Sequence, residues 1–213
     1  MSRSARRIRL LVLSNMCPSP RNPGWGAFVL TQIDSLRALG IEVTSVTKID
    51  RSRWKYPAFY AGAVGALLEG NQDVIHAHYG FHSAIPAMLL RRHPLVVTFH
   101  RGDVFDEPGR NRCYLSLQRA CVRAAQIIVA VSEEIRMAVI DRLDADPAKV
   151  RVIPCGIDPL LFQPAECRQT ILERDNGRPI VLWSGSEASA ERKGLPLAID
   201  VAGQLPEVSF VFL

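Results

Sequence analysis

Residues 180–200 read IVLWSGSEASAERKGLPLAID. An apolar run, Ile180 to Trp183, stops at the turn Ser184, Gly185, Ser186, and then Arg192, Lys193 and Gly194 precede a segment of helical periodicity. A strand that ends in a glycine turn, with two cations ahead of a helix N-terminus, suits a phosphate group, because the unpaired N–H groups and the dipole there favour an anion. The same two cations also read as an ordinary solvated turn before a helix. A further strand begins before Leu213, so the stretch opens an α/β unit. It comes after a complete one.

Upstream, apolar runs of a few residues alternate with segments of helical periodicity, the pattern of βα units feeding a parallel sheet. The runs predict strands at Ile8–Ser14, Glu42–Thr47, Asp73–His76, Leu95–Phe99, Ile127–Val131 and Val150–Ile153. Phe28, Ile33, Leu36 and Leu39 mark a helix closed by Gly40. Ser132 caps a helix opened by Glu133 and Glu134, whose carboxylates favour its positive end. After Ile153 the chain changes to PCGIDP, and a polar stretch through Gly177 and Pro179 reads as a linker. The expected organisation is a Rossmann-like, doubly wound α/β domain over 1–165, a linker over 166–179, and the beginning of a second, truncated α/β domain over 180–213.

Composition agrees with a globular protein: 213 residues, 48% hydrophobic and 22% charged. The net charge of +5 comes from 22 arginines and 4 lysines, scattered apart from a cluster at Arg3, Arg6, Arg7 and Arg9. No aromatic-plus-basic run speaks for nucleic acid. A mildly basic surface fits phosphorylated ligands, and the basic N-terminus allows peripheral contact with an anionic inner membrane face. Five cysteines without a C-x-x-C pair indicate neither a zinc ribbon nor a disulfide scaffold, and a reducing cytoplasm is the simplest location. The longest uncharged stretch, Pro57 to Leu68, is well short of the ~20 residues that span a bilayer.

Ligands of an open parallel sheet collect at the carboxyl ends of its strands. After the first strand, Asn15 to Gly26 holds three prolines and ends Gly24, Trp25, Gly26 at a helix start. Such glycines let backbone N–H groups approach an anion; they equally serve as turn residues. The third strand ends His76, Ala77, His78, with Tyr79, Gly80 and His82 after it. Positions 76 and 78 share one strand face, which permits a metal pair, yet one buried histidine and one lining a cleft is the favoured reading because no carboxylate-rich ligand set accompanies them. The fourth strand leads into His100, Arg101, Gly102, Asp103, where a histidine and a carboxylate could meet a sugar hydroxyl or a phosphate.

Taken in order, PSPRNPGWGAFVLTQIDSLRALGIEV, DVIHAHYG, LVVTFHRGDVF, AAQIIVAVSEEI, KVRVIPCGIDPLLFQP and the RKG loop resemble glycosyltransferase family 4, proteins of the GT-B fold. The resemblance implies a transferase that moves a sugar, with retention, from a nucleotide-diphosphate-sugar donor to an acceptor hydroxyl of a glycan or lipid-linked molecule, in cell-surface polysaccharide or glycolipid synthesis. It implies no metal and no other cofactor. By position, His100 would be the catalytic histidine contacting the donor sugar. Gly24 and Gly26 would face the donor diphosphate, with Lys193 on it and Arg192 assisting. From their places at the strand ends, Asn15, His78 and Asp103 are expected to meet the acceptor or line the cleft.

Three departures stand out. Ser186 lies where an arginine is usual, Cys155 where asparagine is common, and Arg101 separates His100 from Gly102. The family's paired-glutamate motif would lie past Leu213. Alternatives are therefore a truncated, non-catalytic fragment that binds acceptor or partner, and a metal hydrolase built on His76, His78 and His100.

Overall fold

In the computed structural model, described for residues 7–49, 52–105, 112–160, 162, 177–185, 190–191 and 193–213, the chain divides into two compact units, Met1–Asp158 and Pro159–Leu213. The linker expected over 166–179 lies, up to residue 176, outside the described residues.

The first unit runs β1 (Arg9–Cys17), α1 (Ala27–Ala38), β2 (Glu42–Ile49), α2 (Tyr56–Glu69), β3 (Val74–His78), α3 (Gly80–Leu90), β4 (Leu95–Phe99), the single turn α4 (Arg101–Val104), α5 (Arg112–Ala124), β5 (Ile127–Ala130), α6 (Glu133–Leu143) and β6 (Val150–Val152). All six strands are parallel, in the order β2-β1-β3-β4-β5-β6. This is the doubly wound Rossmann-like sheet that the alternation predicts. The winding reverses between β1 and β3, which makes the carboxyl ends of those strands the switch point where such sheets hold ligands.

Right-handed crossovers put α1 on one face of the sheet and α2, α3, α5 and α6 on the other. The alternating strand residues divide accordingly. Leu11, Leu13, Ile75, Ala77, Leu95, Val97, Phe99, Ile128 and Ala130 pack with the larger helix layer in one continuous core. Leu10 and Val12 pack with Val29 and Ile33 of α1 in a much smaller cluster.

Local chemistry sets the element ends. Gly40 closes the turn after α1 at φ 82°, where any side chain would be strained. Ser132 Oγ accepts from Ile135 N at 3.2 Å, capping α6 as its sequence suggests. Three strands run further than their apolar runs, β2 reaching Ile49. β1 continues to Cys17 through a register shift after Ser14, whose hydroxyl bonds the Met16 backbone, and β3 continues through His78.

The second unit holds β7 (Ile180–Trp183), α7 (Leu195–Gln204) and β8 (Ser209–Phe212). β7 and β8 pair in parallel, Ile180 opposite Ser209 through Trp183 opposite Phe212. Gly194, at φ 71°, starts α7.

Candidate active site

Period-2 geometry places Ser14, His78 and Thr98 side by side, because Ser14 pairs with His78 and His78 with Thr98 across β1, β3 and β4. All three are buried, and all lie on the α1 face at the carboxyl ends of the strands. His76 sits one pleat back and bonds Thr98 Oγ1 through Nε2 at 2.7 Å. A hydrophobic sheet face thus turns polar just where the chain leaves the strands.

His100 follows β4 directly. Its backbone N–H donates to Asp103 Oδ2 at 2.9 Å, and Asp103 N donates to His100 O at 2.9 Å, so the short α4 fixes its backbone. Its ring stacks on Tyr79 at 4.4 Å and meets Phe28 of α1 at 4.8 Å, with His78 at 6.0 Å. A cavity of about 180 Å³ opens beside it, lined by α1 (Phe28, Thr31, Gln32, Ser35), by His78, Thr98 and His100, and by the segment from Ile153 to Ile157. Among the described residues, no lysine, arginine, aspartate or glutamate lines this cavity. Its size and its mix of hydroxyl, amide and imidazole groups suit a neutral polar ring.

Burial keeps the imidazoles uncharged. It pushes His76 down to about 4 and, with His76 adding to the effect, His100 down to about 4. His78, between them, falls well below the ordinary histidine range, first by burial and then through His76 and His100. Both His78 ring nitrogens and His100 Nε2 are buried without a hydrogen-bond partner among the described residues. An orphaned neutral imidazole beside an uncharged cavity is a donor or acceptor awaiting a hydroxyl. Burial and then the nearby Asp103 carboxylate raise the Tyr79 phenol above its usual range.

The structure gathers some of the residues singled out from sequence and separates others. His100 and His78 line one cavity. Asp103 does not line it; the carboxylate is buried, bonded to the backbone of His100. Asn15 likewise lies outside that lining, with its N–H on Ser83 Oγ at 2.9 Å and Nδ2 on Tyr56 Oη at 3.1 Å. Gly26 closes the β1–α1 loop at φ 77°, and a Cβ there would come within 2.8 Å of Met16 O, whereas Gly24 stands in open space. Lys193, in the second unit, donates through Nζ to Ser184 O at 2.9 Å, and its own carbonyl accepts from Trp183 Nε1 at 3.0 Å. The cation therefore folds over the end of β7. Arg192 and Ser186 lie outside the described residues. Arg101 is engaged on the surface by Glu134 of α6 at 3.0 Å and lies over the Phe105 ring.

For a metal, the described residues offer no group of three or more histidine, cysteine or carboxylate side chains placed to hold an ion. His76 and His78 share a face as read, with rings 4.3 Å apart, but His76 is committed to Thr98. Phe28, Thr31, Gln32, Ser35 and Tyr79 escape the sequence reading. The α1 residues carry a faint signal, polar positions recurring at helical spacing where an all-apolar buried face would be expected.

The family model of Glycosyltransferase Family 4 matches residues 6–160. The chain belongs to glycosyltransferase family 4. Among curated relatives of this family 4 chain, a D-inositol 3-phosphate glycosyltransferase of Kineococcus radiotolerans is 32% identical over 127 residues, 52% of this chain and 28% of that protein. A putative teichuronic acid biosynthesis glycosyltransferase, TuaC, of Bacillus subtilis is 22% identical over 220 residues, 81% of this chain and 56% of that protein. Anabaena HepE, solved in complex with UDP and glucose, superposes with a TM-score of 0.66 at 19% identity, covering 97% of this chain and 61% of that one. The likeness is one of fold, the GT-B fold. The family 4 chain therefore spans 28% to 56% of the length of these two curated relatives.

Proposed function

We propose that this chain supplies the acceptor-side domain and part of the donor-side domain of a retaining glycosyltransferase. It would transfer a hexose from a nucleoside-diphosphate donor to an acceptor hydroxyl, in the synthesis of a cell-surface polysaccharide or glycolipid. The observation that carries this reading is the His100 imidazole: held between Tyr79 and Phe28, kept neutral by burial, with Nε2 unpartnered beside an uncharged cavity of hexose size.

A neutral imidazole meets a sugar hydroxyl without imposing charge, while breaking the sugar–phosphate bond builds negative charge on the leaving diphosphate. Lys193, assisted by Arg192 and the start of α7, offers fixed positive charge for that group. Gly24 and Gly26 let the β1–α1 loop backbone approach it, and no metal is called on. Holding sugar and acceptor in line removes the entropy cost of their encounter. Asn15, His78 and Asp103 support the acceptor side, Asp103 through the backbone of His100.

HepE was solved with UDP and glucose, so UDP-glucose is the first donor to try. No helix among the described residues is long and apolar enough to cross a membrane; contact with a lipid-linked acceptor would be peripheral. Transfer or donor hydrolysis is measured on the product of the complete reading frame. His100→Ala is expected to lower kcat about a hundredfold. Activity that survives this change intact would remove His100 from the reaction, and a complete absence of transfer with any nucleotide sugar would favour the non-catalytic, acceptor-binding reading.

A further inference from the structure

Tyr79 alone joins β3 to α3, and its backbone is strained. Tyr79 has φ 70° and ψ 53°, and Gly80 follows at φ 52°, two left-handed residues in succession. A residue with a Cβ is disfavoured in that region, so something nearby must hold the turn.

α3 has no side-chain cap of its own. Its second N–H, from Phe81, would be an unpaired donor inside the core. It donates instead to Oε1 of Gln118, at 3.0 Å, across from α5. Gln118 is completely buried, and its Nε2 donates to Tyr114 Oη at 2.8 Å, which fixes which way the amide points. Gly80 packs so tightly under this amide that a Cβ on it would overlap the Gln118 carboxamide. From the other side, Tyr79 N donates to Thr98 O at 3.1 Å. The turn is clamped from both sides, and the ring it presents is the one stacked on His100.

We propose that Gln118 is a positioning residue for His100: by capping α3 at Phe81 it holds the Tyr79–Gly80 turn and so seats the Tyr79 ring against the imidazole. The proposal rests on the reading of His100 as the group that meets the donor sugar. Gln118 acts from the opposite face of the sheet and touches no substrate. A glutamate at this position, kept protonated by burial, reproduces both bonds, accepting from Phe81 N–H and donating to Tyr114. Alanine and leucine reproduce neither.

The test compares Gln118→Ala, Gln118→Leu and Gln118→Glu by two independent readouts. In this chain, the ring-proton resonances of His100, assigned by loss in His100→Ala, report the ring current of Tyr79, and Tyr79→Leu gives the value without it. Alanine and leucine are expected to move those resonances toward the Tyr79→Leu position, and glutamate to leave them near the wild type. In the complete protein, kcat is expected to fall about tenfold with KM for the donor unchanged, and glutamate to recover most of it. His100 resonances unmoved in folded Gln118→Ala, with only the melting temperature lowered, would overturn the proposal, as would a glutamate variant no better than alanine in both readouts. The NMR readout decides the positioning role even if no transferase activity is found, so its failure is distinct from failure of the functional reading.

Discussion

The two faces of the six-stranded sheet are built from the same strands and do different work. The face under α2, α3, α5 and α6 is mostly hydrocarbon, with Leu11, Leu13, Val97, Phe99 and Ile128 essentially inaccessible and Ser83 and Gln118 as hydrogen-bonded exceptions. The α1 face has a small apolar cluster near the amino ends of β1 and β3 and gives way, at the carboxyl ends, to Ser14, His76, His78 and Thr98. The difference teaches that rigidity and chemistry are supplied separately. One layer of helices fixes the strands, and the less covered face is left free to hold polar groups beside a cavity. In register terms the separation costs one pleat, since neighbouring residues of β3 and β4 point to opposite faces.

The largest effect that would sharpen this comparison is on acid stability, because the three histidines that burial keeps neutral, His76, His78 and His100, all belong to the polar side. His76 and His100 sit at about 4 when folded, against an ordinary value of about 6.5. Above pH 6.5 both folded and unfolded chains carry them neutral, and the stability is at its full value. As pH falls toward 4 the unfolded chain binds protons that the folded one refuses, so stability falls by about 1.4 kcal/mol per pH unit for each histidine. Urea midpoints from pH 8 to pH 4 measure the slope, and His76→Asn should lessen it by one histidine's share. A flat wild-type profile would mean that the polar face is solvated.

Substitution on the hydrocarbon face is expected to cost nearly as much but without pH dependence. Phe99→Ala removes a fully buried ring from the centre of the larger core and should lower the unfolding free energy by about 3–5 kcal/mol at pH 8, with the acid slope unchanged. An altered slope would show that the two faces are coupled. The smallest effect falls on the loop that leads from β1 into α1. Gly26→Ala forces a left-handed residue against Met16 O and should cost about 1–3 kcal/mol, again by urea midpoint. No loss there would mean that the loop readily rearranges.

The sequence disclosed much of this architecture for a simple reason. Strands such as Leu95–Phe99, buried on both faces except at the partly covered Val96, read as apolar runs, and helix stops such as Gly40 sit where the backbone needs a positive φ. Family motifs pointed to His100, and strand periodicity put His76 and His78 on a single face. What stayed hidden depends on packing between distant elements. Gln118 looks like one more polar residue on an arginine-rich helix, and only the fold brings it over Gly80. Asp103 looks like a cleft carboxylate, but helical geometry turns it back onto the His100 backbone. Tyr79 looks like an ordinary residue after a strand, and its stacking on His100 follows from two successive left-handed residues that no local pattern announces.

The central claim is that the neutral His100 imidazole of the first unit, stacked on Tyr79 beside its cavity, meets the sugar of the proposed donor. A crystal structure of the complete protein with UDP and glucose tests it most directly. A glucose hydroxyl is expected within hydrogen-bond distance of His100 Nε2. Glucose bound elsewhere, with the cavity beside His100 filled by protein side chains, would contradict it.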